Sequence, residues 1–341
     1  MTRNLKLLIP LSVWTALFCG SALAQAPVTI LEIQGANWVS YYDDVFDFLK
    51  IASNPGIATA FLPTKPFQYW TDITDIVSVN GKPARGVWVN TGTPQVRLDP
   101  NATPGTSTPR AIADVSRLAM AQHYLEILQP DGTPVGTIMV SGMNFGDPPP
   151  GTLSAIARDN LTVTGGTGAF LGARGQAGNA IFADSVTARV TSISEDPANR
   201  RLNGGGTKRL VVHLIPMLRP EIATTSDGPA VFHTDFSQVT GAKPAKAGEV
   251  LILRATGLGP TRPGVDPGQP FPPDALQTVN SPLDVTINGQ TAQVVNQIGW
   301  PGATDIFRID VLVPASVPAG SARFQITAAW IAGSEFLVPI R

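Results

Sequence analysis

The chain has 341 residues, with 24 Lys+Arg against 25 Asp+Glu, only 14% charged residues, 33 glycines and 31 prolines. That length suits two domains of ordinary size, and 43% apolar residues give enough material for packed cores, so disorder throughout is excluded. A formal net charge of -1 without a basic block excludes nucleic acid as a main partner.

Residues 1–24 read as an export signal. Arg3 and Lys6 precede an apolar run over 7–18, and small residues end at Ala22-Leu23-Ala24. The run is too short to span a bilayer, which takes about 20 residues, and no later stretch is apolar for long enough. The expected address is therefore outside the cytoplasm: extracellular, cell surface or periplasmic. Cys19, the one cysteine, falls in this segment. It reads as an apolar signal residue more than a lipid-attachment site, because bulky Phe18 stands where lipoprotein signals place a small residue. A mature chain cleaved after Ala24 would carry no thiol, hence no disulfide, thiolate metal site or cysteine nucleophile.

From residue 27 onward, short β-type runs alternate with Gly, Pro, Asn and Asp. Tyr42, Val45, Phe46 and Leu49 have the spacing of one face of a two- or three-turn helix. Asp43, Asp44 and Asp47 lack the alternation and central glycine of a calcium loop and read as a solvated face. The run 76–79 leads through Asn80-Gly81, a strong tight-turn signal, into 86–89. Residues 123–129 run through the turn 130–134 into a return strand over 135–141. The stretch 99–109 reads as a polar loop, and 185–194 as a strand paired with 208–216. Eight or nine short strands with no helix to cover them are expected to close into an antiparallel β-barrel.

After residue 220 the runs 230–236, 250–256, 283–287, 292–298, 306–313, 322–329 and 335–340 recur at the intervals of an immunoglobulin-like sandwich. In Phe307-Arg308-Ile309-Asp310-Val311 apolar and charged residues alternate, as a half-buried strand requires. The expected fold class is all-β: signal peptide 1–24, barrel domain 27–218 and Ig-like domain 221–341.

The most specific local feature is the stretch Asn160 to Gly178, containing TGGTGAFLGARG. A strand followed by TGGTG invites a dinucleotide-binding reading. Against it, residue 171 is Leu where the short-chain dehydrogenase pattern wants glycine, and Gly172, Gly175 and Gly178 would weaken the helix that must follow. The run resembles instead the motif shared by dirigent proteins and allene oxide cyclases, which fold as eight-stranded barrels. The resemblance implies that Gly165, Gly166 and Gly168, with Thr167 between them, form the positive-φ turn. It also implies that Phe170 plugs the barrel end and that Gly172 and Gly175 allow a bend or close approach in the next strand. Dirigent proteins guide phenol radical coupling and the cyclases close an epoxide-derived ring, both in a mostly apolar barrel pocket. Arg174 is the one pocket residue the resemblance carries over, as a partner for an anion or a phenol oxygen; a rim arginine closing the turn is the structural alternative. Further on, the elements TGLGPT (256–261), Ile287-Asn288-Gly289, Gln297 to Gly302, and Val317-Pro318-Ala319-Gly320 together resemble an uncharacterised Ig-like domain of secreted bacterial proteins.

No HExxH, GxSxG or paired cysteine is present. His123, His213 and His233 fall in expected strands; no metal site is expected from them, but His123 and His213 share the barrel and could face one lumen with Arg174. Asp72, Asp75, Asp114, Glu126 and Asp159 are the candidates for a buried acid. The tryptophans form no ladder for sugars. These readings point to an exported two-domain protein of non-catalytic binding or scaffold type. Its barrel would hold a small apolar or phenolic ligand and its Ig-like domain would meet surface or protein partners, with no cofactor, nucleic acid or membrane span. The alternative is a barrel isomerase or cyclase.

Overall fold

A computed structural model describes residues 28–42, 70–98, 115–144, 158–180 and 182–341. The export signal with Cys19, the helical spacing 45–49, the aspartates at 43, 44 and 47, the loop 99–109 and Asp114 lie outside them.

Eight antiparallel strands form a closed barrel: β1 (Thr29–Tyr42), β2 (Trp70–Val79), β3 (Arg85–Leu98), β4 (Val115–Leu128), β5 (Pro134–Asn144), β6 (Arg158–Gly168), β7 (Arg174–Ala180) and β8 (Gly206–Ile215). Each pairs with the next, and β1 pairs with both β2 and β8, which closes the ring. Period-2 patterning sets the faces: in β8, Leu210, Val212 and Leu214 point inward to join Leu31 and Ile33 of β1 and Leu125 and Ile127 of β4.

Two sequence expectations are corrected. Residues 185–194 do not pair with β8, because both of its edges are taken by β7 and β1. A short strand there, Arg189–Ser192, pairs in parallel with Val39–Tyr42, after β1 bulges away from β8 at Asn37. The turn glycines also divide their roles: Gly168 has positive φ (62°), whereas Gly165 and Gly166 are strand residues of β6 without it. Gly166 is required for a different reason, since a Cβ there would lie 2.5 Å from the Phe170 carbonyl oxygen and 2.6 Å from that of Thr137. Phe170 itself is buried in the barrel core.

The second sheet is built around β9 (Val250–Thr256), β10 (Leu283–Ile287), β11 (Gln290–Gly299), β12 (Phe307–Leu312), β13 (Gly320–Ala328) and β14 (Phe336–Ile340), in the order β9-β12-β11-β10-β13-β14. Strand β11 pairs with β10 through residues 290–292 and with β12 through 293–299, so the sheet curls on itself. Inside the curl lie Leu251, Leu253, Ile309, Val311, Phe324 and Val338. The expected strand 230–236 is reduced to Val231–Phe232, because the chain bends sharply at Phe236, whose φ is 61°.

The two cores meet. Ala329 and Ile331, in the segment after β13, belong to the barrel's core cluster, with Trp330 packed against it. Gln129 donates to the Asn280 carbonyl (2.6 Å), and Lys82 pairs with Asp284.

Candidate functional site

The barrel ends differ because of where its connections lie. At one end the turns are tight: 80–84, 129–133 and 169–173. At the other, residues 43–69, 99–114, 145–157 and 181–205 join the strands. The inward positions change character along the same axis. Towards the tight turns they are aliphatic; at the level of the long connections a cross-strand row reads Ser40, Asp72, Asn90, His123 from β1 to β4. Asn144 of β5, Asp159 of β6, Asn179 of β7 and Lys208 of β8 continue the polar wall.

This row is buried and interconnected. The Ser40 hydroxyl donates to one Asp72 oxygen at 2.6 Å and the Asn90 amide to the other at 3.4 Å. Lys208 Nζ lies 3.8 Å from Asp72, with both side chains 7% exposed. The same ammonium sits over the Trp88 ring, 3.8 Å from its centroid, and 5.1 Å from that of Trp38. Burial pushes the Lys208 amine down to about 8, against the opposing pull of Asp72 and Asp159. Asn179 donates to Asp159, which holds a positive φ of 83° at a bulge where β6 slips against β7.

Trp88 fixes the state of His123. An indole N–H only donates, so the 3.1 Å contact from Trp88 Nε1 requires a bare Nδ1 on His123. The proton is then on Nε2, 3.3 Å from Asn144 Oδ1. Burial, reinforced by the Lys208 charge, lowers this imidazole to about 3, so it is neutral.

Four buried atoms on this wall have no hydrogen-bond partner among the described residues: Trp38 Nε1, Thr74 Oγ1, Asn90 Oδ1 and Asn179 Oδ1. They comprise one donor, two acceptors and a hydroxyl able to act as either.

Of the residues expected to form a pocket, the structure places only His123 in the lumen. His213 points outward on β8, where Nδ1 faces the Gln176 amide at 3.1 Å. Arg174 is exposed at the start of β7, beside the tight-turn end. Both miss the lumen for the same reason: inward positions are 208, 210, 212 and 214 on β8 and 177 and 179 on β7, and 213 and 174 are out of phase with them. His233 lies in the other core's margin, with Nδ1 2.6 Å from Glu249. Among the candidate acids, Asp72 and Asp159 enter the lumen, whereas Asp75 and Glu126 border an outer groove of about 420 Å³ with Arg85 and Arg201. There burial would raise the Asp75 carboxyl, but hydrogen bonds from Arg201, Arg200 and Asn37 outweigh it and hold it at about 2. That groove's central charge is thus already matched by arginines. Among the described residues no group of three or more His, Cys, Asp or Glu is placed to hold a metal ion.

Sequence reading missed Lys208, Trp38, Trp88, Ser40, Asn90 and Asn144. A lysine at an inward position of the run KRLVVHL (208–214) was the available signal, since its spacing from Leu210, Val212 and Leu214 puts it on the apolar face.

Comparison with protein-family models, with curated proteins and with solved structures gives no match to this chain.

Proposed function

We propose that the protein is an exported binding protein of non-catalytic type whose barrel takes a small hydroxyl-bearing aromatic molecule, such as a phenol, at its polar end. The barrel is of the dirigent and allene oxide cyclase kind, and the C-terminal sheet is an Ig-like module that braces the barrel and meets surface or protein partners. The observation that carries the reading is the buried polar wall around Lys208 and Asp72, with the Trp38 and Trp88 rings against the ammonium. Burying an ion pair is roughly neutral or costly for stability, so its presence in a barrel whose other end is packed with aliphatic side chains favours a role in recognition. A phenol suits the wall: its ring matches indole faces, and its hydroxyl can accept from Trp38 Nε1 and donate to Asn90 Oδ1. The glycine-rich end of β6, with Gly168 at positive φ leading into the 169–173 turn, and the buried Phe170 support the barrel kinship.

The alternative, an isomerase or cyclase acting in the same lumen, draws support from the depressed Lys208 amine beside a carboxylate. Arg174 has no part in it. Titration with 4-propylphenol, followed by tryptophan fluorescence, tests binding. Saturable quenching in the native chain, weakened at least about tenfold in Trp38→Phe by loss of one indole donor in a dry site, is the expected result. A linear, unsaturable response, or equal affinity in the variant, would remove the phenol site.

A further inference from the structure

Resting on the lumen being a ligand site, we infer that Lys208 captures its ligand covalently, forming an imine with an aldehyde or ketone that enters from the polar end. The arrangement around Nζ is that of a reactive amine more than a structural cation. A stabilising lysine ordinarily keeps its head in water, but this one is 7% exposed inside a barrel. The Asp72 carboxylate lies at 3.8 Å and already accepts from Ser40 and Asn90. The other charged or titratable groups of the wall are Asp159, two strands from Lys208 and also favouring its ammonium form, and His123, held neutral by Trp88. Desolvation brings about a tenth of Nζ to the free amine at pH 7, against well under a thousandth for an ordinary lysine, and the free amine is the form that adds to a carbonyl.

The chemistry balances without a further reactant. The Nζ lone pair adds to the carbonyl carbon, giving a carbinolamine. The carbonyl oxygen then leaves as water with two hydrogens that began on the ammonium, and a C=N bond replaces C=O. The product iminium carries the one positive charge that the ammonium carried, still opposite Asp72 and still over the Trp88 face, so the lumen's charge is unchanged. Trp38 Nε1 is a donor without a partner among the described residues, suited to the carbinolamine oxygen.

The test uses the intact chain with benzaldehyde and sodium cyanoborohydride at pH 7, read by intact mass and peptide mapping. A single benzyl adduct on Lys208, formed at least about tenfold faster than on exposed Lys82 and Lys243, is expected. Its rate should level off above pH about 8, whereas adducts on ordinary lysines keep rising towards pH about 10.4. Lys208→Arg keeps the charge and should lose the adduct with an unchanged circular dichroism spectrum. Labelling spread over exposed lysines with Lys208 unmodified overturns the imine, and it does so on the native chain whether or not the variant folds. Saturable phenol binding with an unmodified Lys208 would leave the binding reading standing alone; failure of both assays would remove the lumen site as well.

Discussion

The two ends of the barrel are built from the same eight strands yet follow opposite rules. At the tight-turn end the inward strand positions are apolar, Phe170 is buried in the core there, and Ala329 and Ile331 arrive from the second sheet to join the packing. At the other end the inward positions become Ser40, Asp72, Asn90, His123 and Lys208, and four polar atoms have no partner among the described residues. The first end is where folding free energy is gained, at roughly 1.5–3 kcal/mol for each buried large aliphatic side chain. The second gains little, because the attraction of Lys208 for Asp72 is spent against desolvation of both. Apolar packing and buried polar groups are thus separated along one axis of the barrel, and substitutions at the two ends should have different signatures.

The largest effect is expected at the sealed end. Phe170→Ala removes a ring that is 1% exposed and leaves a cavity between β5, β6 and the 169–173 turn, for an expected loss of about 3–5 kcal/mol. Ile331→Ala, although it lies in the second sheet's chain segment, should cost the barrel about 2–4 kcal/mol. Urea unfolding monitored by fluorescence and circular dichroism checks both. If Ile331→Ala lowered only a transition of the second sheet, the two cores would be energetically separate.

The polar end should respond non-additively. Lys208→Met alone leaves Asp72 buried without its cation and should cost about 3–5 kcal/mol. The double change Lys208→Met with Asp72→Leu removes both charges and should recover most of that loss while abolishing ligand capture. A double variant as unstable as the single one would mean that the pair holds the barrel together.

How far the sequence reveals this contrast depends on the length scale of each signal. Strand identity and the Asn80-Gly81 turn, where both residues have positive φ, are local and were legible. So was the glycine-rich turn after β6, although Gly166 serves close approach where a positive φ was expected. The alternation within β8 also marked 208, 210, 212 and 214 as one face. What was hidden is register. That Ser40, Asp72, Asn90 and His123 stand side by side depends on bulges between Gln34 and Gly35 and between Ala36 and Val39. No single strand announces these, and one slipped residue would turn Asp72 outward. The insertion of 329–331 into the barrel is hidden for the same reason, being a contact between segments more than a hundred residues apart.

The last prediction turns on His123, where the two rules meet: an imidazole placed among apolar neighbours but wired to polar ones. Its value of about 3 in the folded protein lies below the ordinary 6.5, so the unfolded chain binds a proton that the native one refuses. Stability therefore holds above pH about 6.5 and falls as the pH drops from there towards 3, with His123 contributing about 2 kcal/mol at pH 5; His213, also lowered by burial from the same 6.5, adds to the slope in this window. Asp75, held at about 2, contributes only below pH about 4 and does not confuse this window. Protonation would force an N–H onto Nδ1, where Trp88 already points its own hydrogen, so the penalty has a definite atomic origin. His123→Asn should flatten the slope of stability between pH 5 and 6.5 even if it lowers stability throughout. An unchanged slope in that variant would show that a different group, and a different part of the wall, senses the proton.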